Sequence, residues 1–334
     1  MDIILIGFGG VGQGLAQILR DKRDDLRAQQ SFEARIVGVA TRSRGTLYNP
    51  NGLDIDRLLA GIDSVPDQPG LIRDWDALRL VRDSKADVMV EVSPTDLQTG
   101  QPALDLCRAA FETGKHVVLA NKGPVAVADV ELQALAKKSG KALRFEATVM
   151  AGTPSIRLGM QALAGCKIER VRGIFNGTTN YILTQMEKGS DYAGALTEAQ
   201  VLGYAETDPS GDVDGWDAAG KGIILAAAIF GRKLTLDQMS VRGIRSITPQ
   251  DIADAKAANE RIKLIVEISD QGGTVAPTRI PVSHPLASVS GAANAITYVT
   301  DLLGEVTLVG AGAGRLPTGF GILSDVLEIA QRFN

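Results

Sequence analysis

The segment DIILIG at 2–7 runs directly into FGGVGQG at 8–14, and this junction constrains the fold more than any other part of the chain. Consecutive apolar residues without alternation suit a strand buried on both faces of a parallel sheet. A G-x-G-x-x-G pattern that closes such a strand and opens a helix is the phosphate turn of a dinucleotide-binding βαβ unit. The first glycine, Gly7, permits the tight turn. Gly9 lets backbone approach a pyrophosphate, and Gly12 lets the helix pack on the strand. The helix N-terminus at Gly10 and Val11 then faces the phosphates. Gly7, Phe8, Gly9, Gly10, Val11 and Gly12 are therefore the first cofactor-binding candidates.

The same grammar continues downstream. A helix is expected over 11–28, strands at 34–40, 87–92, 115–119 and 142–148, and helices at 102–113 and 126–139. Residues 43–75, rich in Gly, Pro, Asn and Asp, read as loop with a short helix at 54–60. Strands alternating with helices indicate an α/β protein with a Rossmann-type, doubly wound parallel sheet. After about residue 150 the pattern becomes α+β: helices at 156–164, 177–187, 215–230 and 249–257, strands at 168–174, 262–269 and 275–281. A Gly-rich stretch at 310–314 and an apolar helix at 320–332 close the chain. Its 334 residues suit two domains. The expected division is 1–135, completed by 305–334, and 136–304.

Composition excludes several classes. Hydrophobic residues are 45% and charged residues 22%, ordinary for a globular protein. A net charge of −4 gives no bulk attraction for nucleic acid or an anionic membrane. No segment approaches the ~18 consecutive apolar residues of a membrane span. The strand begins right after Met1, with no basic region, so no signal peptide is expected. Cys107 and Cys166 are too few for a disulfide framework and lack metal-ligand spacing. They are expected as reduced thiols in a cytoplasmic protein. His116 and His284 lie too far apart in sequence to suggest a metal site.

Several motifs carry chemistry. The second strand ends in ATRSR at 40–44, without the carboxylate that usually binds an NAD ribose. Arg42 and Arg44 can instead clamp a 2′-phosphate, which favours NADP and leaves NAD possible. SPT at 93–95 and ANKGP at 120–124 each follow a parallel strand, and ligands sit beyond the carboxyl ends of such strands. Ser93 and Pro94 are thus cofactor candidates, and Lys122 is placed for the nicotinamide side. GYAETDPSGDVDGWDAAGK at 203–221 concentrates carboxylates and ends in Lys221, which leads into the apolar helix IILAAAIF at 223–230. Asp217 and Lys221 are four apart and share a helix face. A charged pair beside apolar surface often marks a site, although the same spacing suits a solvated pair on a helix edge. As a calcium loop the stretch fails, because Ser210 would be the first ligand and Lys221 would replace the bidentate Glu. NGTTNY at 176–181 offers Asn and Thr to free helix N–H groups or to a polar substrate. FEATVMAGTP at 145–154 offers one carboxylate and turn carbonyls, suited to a hard cation or to capping the next helix.

Together these motifs, with NGTTNYI at 176–182 and GAGAGRLPTG at 310–319, closely resemble the homoserine dehydrogenase family over nearly the whole chain. The 203–221 stretch is the most specific of them. The resemblance implies reversible interconversion of homoserine and aspartate 4-semialdehyde with a nicotinamide cofactor. It implies Lys221 and Lys122 as the catalytic lysines, and Glu206, Asp217, Thr178, Tyr204 and Asp212 as substrate-binding residues. Gly203 falls at a cofactor position, and Gly312 and Gly314 join the cofactor set. Glu146, Val149, Ala151 and Thr153 match a structural sodium site, three of them through backbone carbonyls. Thr153 stands where the family pattern has glycine. Gly319-Phe320-Gly321 replaces a run of small Ala or Ser residues, and Ala311 replaces a proline, so the C-terminal cover is expected to differ in shape.

The resemblance is to short members without a C-terminal amino-acid-sensing domain, so feedback through one is not expected. It also implies a homodimer formed through 136–304, with 1–135 binding the dinucleotide. Two other readings are a related dehydrogenase that releases ammonia from an amino acid, and a non-catalytic dinucleotide sensor. Lys122, Glu206, Asp217 and Lys221 count against the sensor, which needs only the cofactor half.

Overall fold

The computed structural model describes residues 1–333. The chain divides into two compact units, 1–152 with 314–334, and 153–313; the sequence-based bounds were 135 and 304. The first unit contains β1 (Asp2–Ile6), α1 (Gly10–Asp21), α2 (Arg23–Gln30), β2 (Arg35–Thr41), β3 (Gly45–Tyr48), α3 (Ile55–Ala60) and α4 (Ala77–Asp83). It continues with β4 (Val88–Glu91), α5 (Ala103–Glu112), β5 (His116–Leu119), α6 (Gly123–Ser139) and β6 (Leu143–Arg144). The second unit contains α7 (Ser155–Arg157), β7 (Ile168–Ile174), α8 (Gly177–Glu187), α9 (Tyr192–Val201), α10 (Ser210–Val213) and α11 (Trp216–Phe230). It ends with β8 (Met239–Val241), α12 (Pro249–Ala257), β9 (Glu260–Ser269), β10 (Gly272–Pro281), β11 (Ala293–Thr300) and β12 (Gly304–Ala311). The last helix, α13 (Arg315–Phe333), belongs to the first unit.

The first sheet has the order β3-β2-β1-β4-β5-β6. All its pairings are parallel except the hairpin of β2 with β3. Sequence order reverses between β1 and β4, which makes the ends of those two strands the topological switch point, where such sheets bind ligands. Ile3, Leu5, Val39, Val88, Val90 and Val118 form the core with Leu15 and Leu19 of α1. Ile322, Val326 and Ile329, spaced four and three apart, bring one face of α13 into the same core.

The second sheet has the order β12-β11-β7-β9-β10-β8 and is antiparallel apart from β8 against β10. Helix α11 lies on it so closely that a Cβ at Gly222 would meet Val266 and Ile268 of β9 at 3.0–3.1 Å.

Sequence expectations differ from the structure at several points: the stretch 43–75, expected as loop apart from 54–60, also holds β3, and the helix expected at 156–164 is α7 followed by a π-helical turn, Leu158–Ala162. The strand expected at 142–148 stops at Arg144, and Glu146–Thr148 is a 3-10 turn. The helix expected at 11–28 is two helices, which meet at Lys22. The hairpin β11–β12 and helix α9 were not anticipated.

Candidate functional site

In the first unit, the phosphate turn is built as the spacing predicts. Gly7 has φ +100°, and a Cβ there would meet Val92 C and O at 2.9 Å. Only glycine fits that conformation at that approach. Helix α1 has no side-chain hydrogen bond at its N-cap, Gly9, so its first amides are available to an anion. A Cβ at Gly9 or Gly10 would meet nothing within 4 Å, which leaves room above those amides. The residues present therefore fit a dinucleotide pyrophosphate. Phe8 is buried beneath the turn, with Val11 packed against the same core. Arg42 and Arg44 are exposed in the turn between β2 and β3, where Arg44 N–H donates to Thr41 Oγ1 at 3.0 Å.

The loop after β4 hangs on a carboxylate that sequence reasoning missed. Glu91 is fully buried at the end of that strand. Its Oε1 accepts Ser93 N–H at 2.7 Å and the Asn121 amide at 3.4 Å. Burial raises the Glu91 pKa, and the bonds from Ser93 and Asn121 oppose the rise. Asn121 also donates to Pro94 O at 3.3 Å and accepts Gly123 N–H at 2.9 Å, which ties the Ser93–Thr95 loop to the start of α6. Lys122 caps that helix, and its N–H donates to Thr95 Oγ1 at 3.3 Å. A charged residue inside the apolar string VMVEV was the available signal. Glu146, Val149 and Ala151 are buried in the loop that closes the unit, with Ala151 at φ +52°. Gly314, at φ +124°, precedes α13.

The second unit gathers most of the acidic stretch around one lysine. Helix α11 starts after Gly215, carries Asp217 in its first turn, where a carboxylate suits the helix dipole, and ends at Gly231 in the left-handed region. Lys221 is 7% exposed, and its Nζ donates to Asp217 Oδ2 at 2.7 Å and to Phe175 O at 2.5 Å. Asn176 caps α8 and donates from Nδ2 to Asp212 Oδ1 at 2.7 Å and Asp217 Oδ2 at 3.0 Å. Thr178 Oγ1 lies 2.9 Å from Asp212 Oδ2 and 2.5 Å from Tyr204 O. The Asp212 pKa is raised by burial and then by the charge of Asp217; hydrogen bonds from Asn176 and Thr178 and the charge of Lys221 oppose this. The result is a half-buried patch of two carboxylates and one cation, suited to an ammonium group and a polar oxygen.

Other expected side chains of this unit stand apart from the network. Glu206 is exposed, and its backbone carbonyl, not its carboxylate, accepts from Gln200 at 3.0 Å. The Tyr204 ring stacks at a tilt on Tyr181, centroids 5.0 Å apart. Gly203 is exposed at φ +75°. Gly312 lies so close to Asn294 that a Cβ has no space. Thr153 Oγ1 donates to Ala311 O at 3.0 Å. Among the described residues no group of three or more His, Cys, Asp or Glu is arranged to hold a metal, and no helix is long and apolar enough to cross a membrane.

Comparison with known proteins gives one family throughout. Residues 154–327 match the model described as homoserine dehydrogenase, and 7–146 match the model of its NAD-binding domain. An NAD(+)-dependent homoserine dehydrogenase of Pseudomonas canavaninivorans is 42% identical, covering 98% of this chain and 96% of its own length. The homoserine dehydrogenase of Methanocaldococcus jannaschii is also 42% identical, with 98% of each chain covered. Among solved structures, a hyperthermophilic archaeal homoserine dehydrogenase in complex with NADPH superposes with a TM-score of 0.84 at 30% identity, covering 100% of this chain and 98% of the other. A homoserine dehydrogenase from Thiobacillus denitrificans gives 0.85 at 33% identity, covering 99% of this chain and 73% of the other.

Proposed function

The chain belongs to the homoserine dehydrogenase family, NAD(P)-dependent oxidoreductases acting on a CH–OH group, and from that membership we propose how its residues divide the reaction. The reaction interconverts L-homoserine and L-aspartate 4-semialdehyde, a step of amino-acid biosynthesis. The observation that carries the assignment of roles is the Lys221–Asp217–Asn176–Asp212 network.

The cofactor, when bound, accepts or supplies the hydride at its nicotinamide ring. Gly7, Phe8, Gly9, Gly10, Val11 and Gly12 hold its pyrophosphate, with Ser93, Pro94 and Gly314 in the same unit; Gly203 and Gly312 are the cofactor candidates of the second unit. Arg42 and Arg44 clamp a 2′-phosphate and make NADP the preferred form. Lys221 faces the substrate's C4 oxygen. In the reducing direction that oxygen gains negative charge, and a lysine ammonium supplies both field and proton. Asp217 keeps the ammonium oriented. Lys122, which follows β5 in the first unit, is the second catalytic lysine. Asp212, Asp217 and Glu206 hold the substrate ammonium, with Thr178 and Tyr204 lining the pocket.

Three further readings go with this one. The loop 146–153 holds a sodium ion, supported by the match of Glu146, Val149, Ala151 and Thr153 to the cation-binding positions of the family. A melting temperature that does not respond to replacing sodium by choline at equal ionic strength would dismiss it. The chain forms a homodimer through residues 153–313, which expose Leu302, Leu303 and Val309 on the β11–β12 hairpin. Sedimentation of a monomer at micromolar concentration would dismiss that. The protein works in the cytoplasm, in keeping with two free cysteines; periplasmic or secreted protein on fractionation of its own cells would dismiss that.

The deciding experiment is initial-rate nicotinamide absorbance with homoserine, comparing NADP and NAD in one buffer. Turnover with homoserine and a higher kcat/KM for NADP are expected. Replacing Arg42 and Arg44 together by Ala should lower the NADP-to-NAD ratio of kcat/KM by about 10-fold or more, the loss of charge-assisted contacts to a phosphate. An unchanged ratio removes the clamp from those arginines.

A further inference from the structure

Asn176 stands at the centre of the acidic network and has no role so far beyond capping a helix. It is 4% exposed. Its Oδ1 accepts Thr179 N–H at 2.9 Å and Thr179 Oγ1–H at 3.0 Å. That fixes the amide orientation, because the opposite one would set NH₂ against an N–H and a carbonyl against two carboxylates. The two hydrogens of Nδ2 are therefore committed to Asp212 Oδ1 at 2.7 Å and Asp217 Oδ2 at 3.0 Å.

The carboxylates sit on separate elements, Asp212 on α10 and Asp217 on α11, and they repel each other. We propose that Asn176 is a positioning residue that sets the spacing of Asp212 and Asp217 to receive the substrate ammonium. This deepens the homoserine reading and rests on it.

Two consequences follow from the geometry. Asp217 Oδ2 is shared between Asn176 and Lys221, so a shift of the amide also moves the anchor of Lys221 Nζ. Thr178 has a single hydroxyl hydrogen for two acceptors, Tyr204 O and Asp212 Oδ2. When Asp212 is protonated it can donate to Thr178 Oγ1, and Thr178 donates to Tyr204 O. The patch is then hydrogen-bonded without charge on Asp212, and its hold on an ammonium is weakened. The charged groups bearing on Asp212 are Asp217, which raises its pKa, and Lys221, which lowers it; both lie on α11. From α8, Asn176 and Thr178 lower it through hydrogen bonds. Without Asn176 one of the hydrogen bonds that favour the ionised form of Asp212 is gone, so its pKa rises and the acid limb of activity moves to higher pH.

The test uses Asn176→Ser and Asn176→Asp on the full chain. Serine keeps an oxygen for the Thr179 cap but has one hydrogen for two carboxylates. Aspartate keeps the shape and the cap and places a third negative charge beside the pair. Kinetics are read as a pH profile of kcat/KM for homoserine, with KM for both substrates. For Asn176→Ser the expectation is a loss of about 10- to 100-fold in kcat/KM for homoserine, the range of a hydrogen bond to a charged group. The loss lies mainly in the KM for homoserine, the acid limb moves up in pH, and the cofactor KM stays within about 2-fold. Asn176→Asp shows a larger acid-limb shift in the same direction.

A wild-type homoserine KM and acid limb in either folded variant overturns the proposal. Equal losses toward both substrates with no movement of the acid limb overturn it as well, by making Asn176 only structural. If neither variant folds by circular dichroism, Asn176→Thr replaces them under the same criteria. Failure of the wild-type protein to turn over homoserine would instead overturn the functional reading itself.

Discussion

Lys221 is held by a carboxylate on its own helix and a carbonyl from the end of β7, at 7% exposure. Truncating it removes the cation of this network, the group proposed to give a proton to the developing alkoxide. Lys221→Ala should lower kcat by about 1,000-fold or more, on the scale of losing both a proton donor and its field. Cofactor affinity, measured by quenching of nicotinamide fluorescence, should stay near wild type. Loss of both together would make Lys221 a structural residue. The Asp217–Lys221 pair was legible in sequence because four residues return a helix to the same face. Glu91 and Asn176 were not. Their partners are fixed by loops and by elements that sequence spacing does not relate.

At the scale of elements, β5 carries a group whose titration reports on the sheet edge. His116 Nδ1 accepts Ala142 N–H at 3.0 Å, just before β6, and the side chain is buried. Burial, then the charge of Lys141, lowers its pKa to about 4. The unfolded chain protonates histidine near 6.5. Between pH ~6.5 and ~4 the unfolded state thus binds a proton that the native state refuses, and stability falls as pH falls. The contribution is complete above about pH 6.5, and its loss is on the order of 1–3 kcal/mol by pH 4. Denaturant midpoints of wild type and His116→Asn across this range check it; Asn keeps an acceptor and should flatten the slope. An identical slope in the variant assigns the effect elsewhere.

The strongly patterned elements were legible because burial on both faces leaves uninterrupted apolar runs, as in Ile3–Ile6 of β1. The poorly buried β12 and the mostly exposed α9 lack such a pattern, and the turn Leu302-Leu303 disguises the hairpin as continued apolar chain. For α9 the Asp191 cap, which accepts Gly194 N–H, was the signal available.

At the scale of the whole molecule, the proposed roles divide between the units, cofactor binding in the first and substrate binding in the second. Hydrogen exchange tests that division directly. NADP should protect amides of 7–14 and 40–45, and homoserine with NADP bound should add protection at 176–181 and 204–221. Protection of 204–221 by NADP alone, with none at 7–14, would reverse the assignment of the units.

The sequence by itself determined the phosphate turn, the parallel sheet that follows it, the dipole-compatible acid at the start of α11 and the ion pair four residues along. Each is a local consequence of helix or strand period and of the conformations glycine allows. Only the tertiary structure decided that Asn176 would meet Asp212 and Asp217, 36 and 41 residues away, and that Glu91 would hold the Ser93 loop from inside the core. Those contacts depend on how α8, α10 and α11 pack and on how β4 ends. Packing is set by the summed burial of many side chains, so no short spacing in the sequence encodes it.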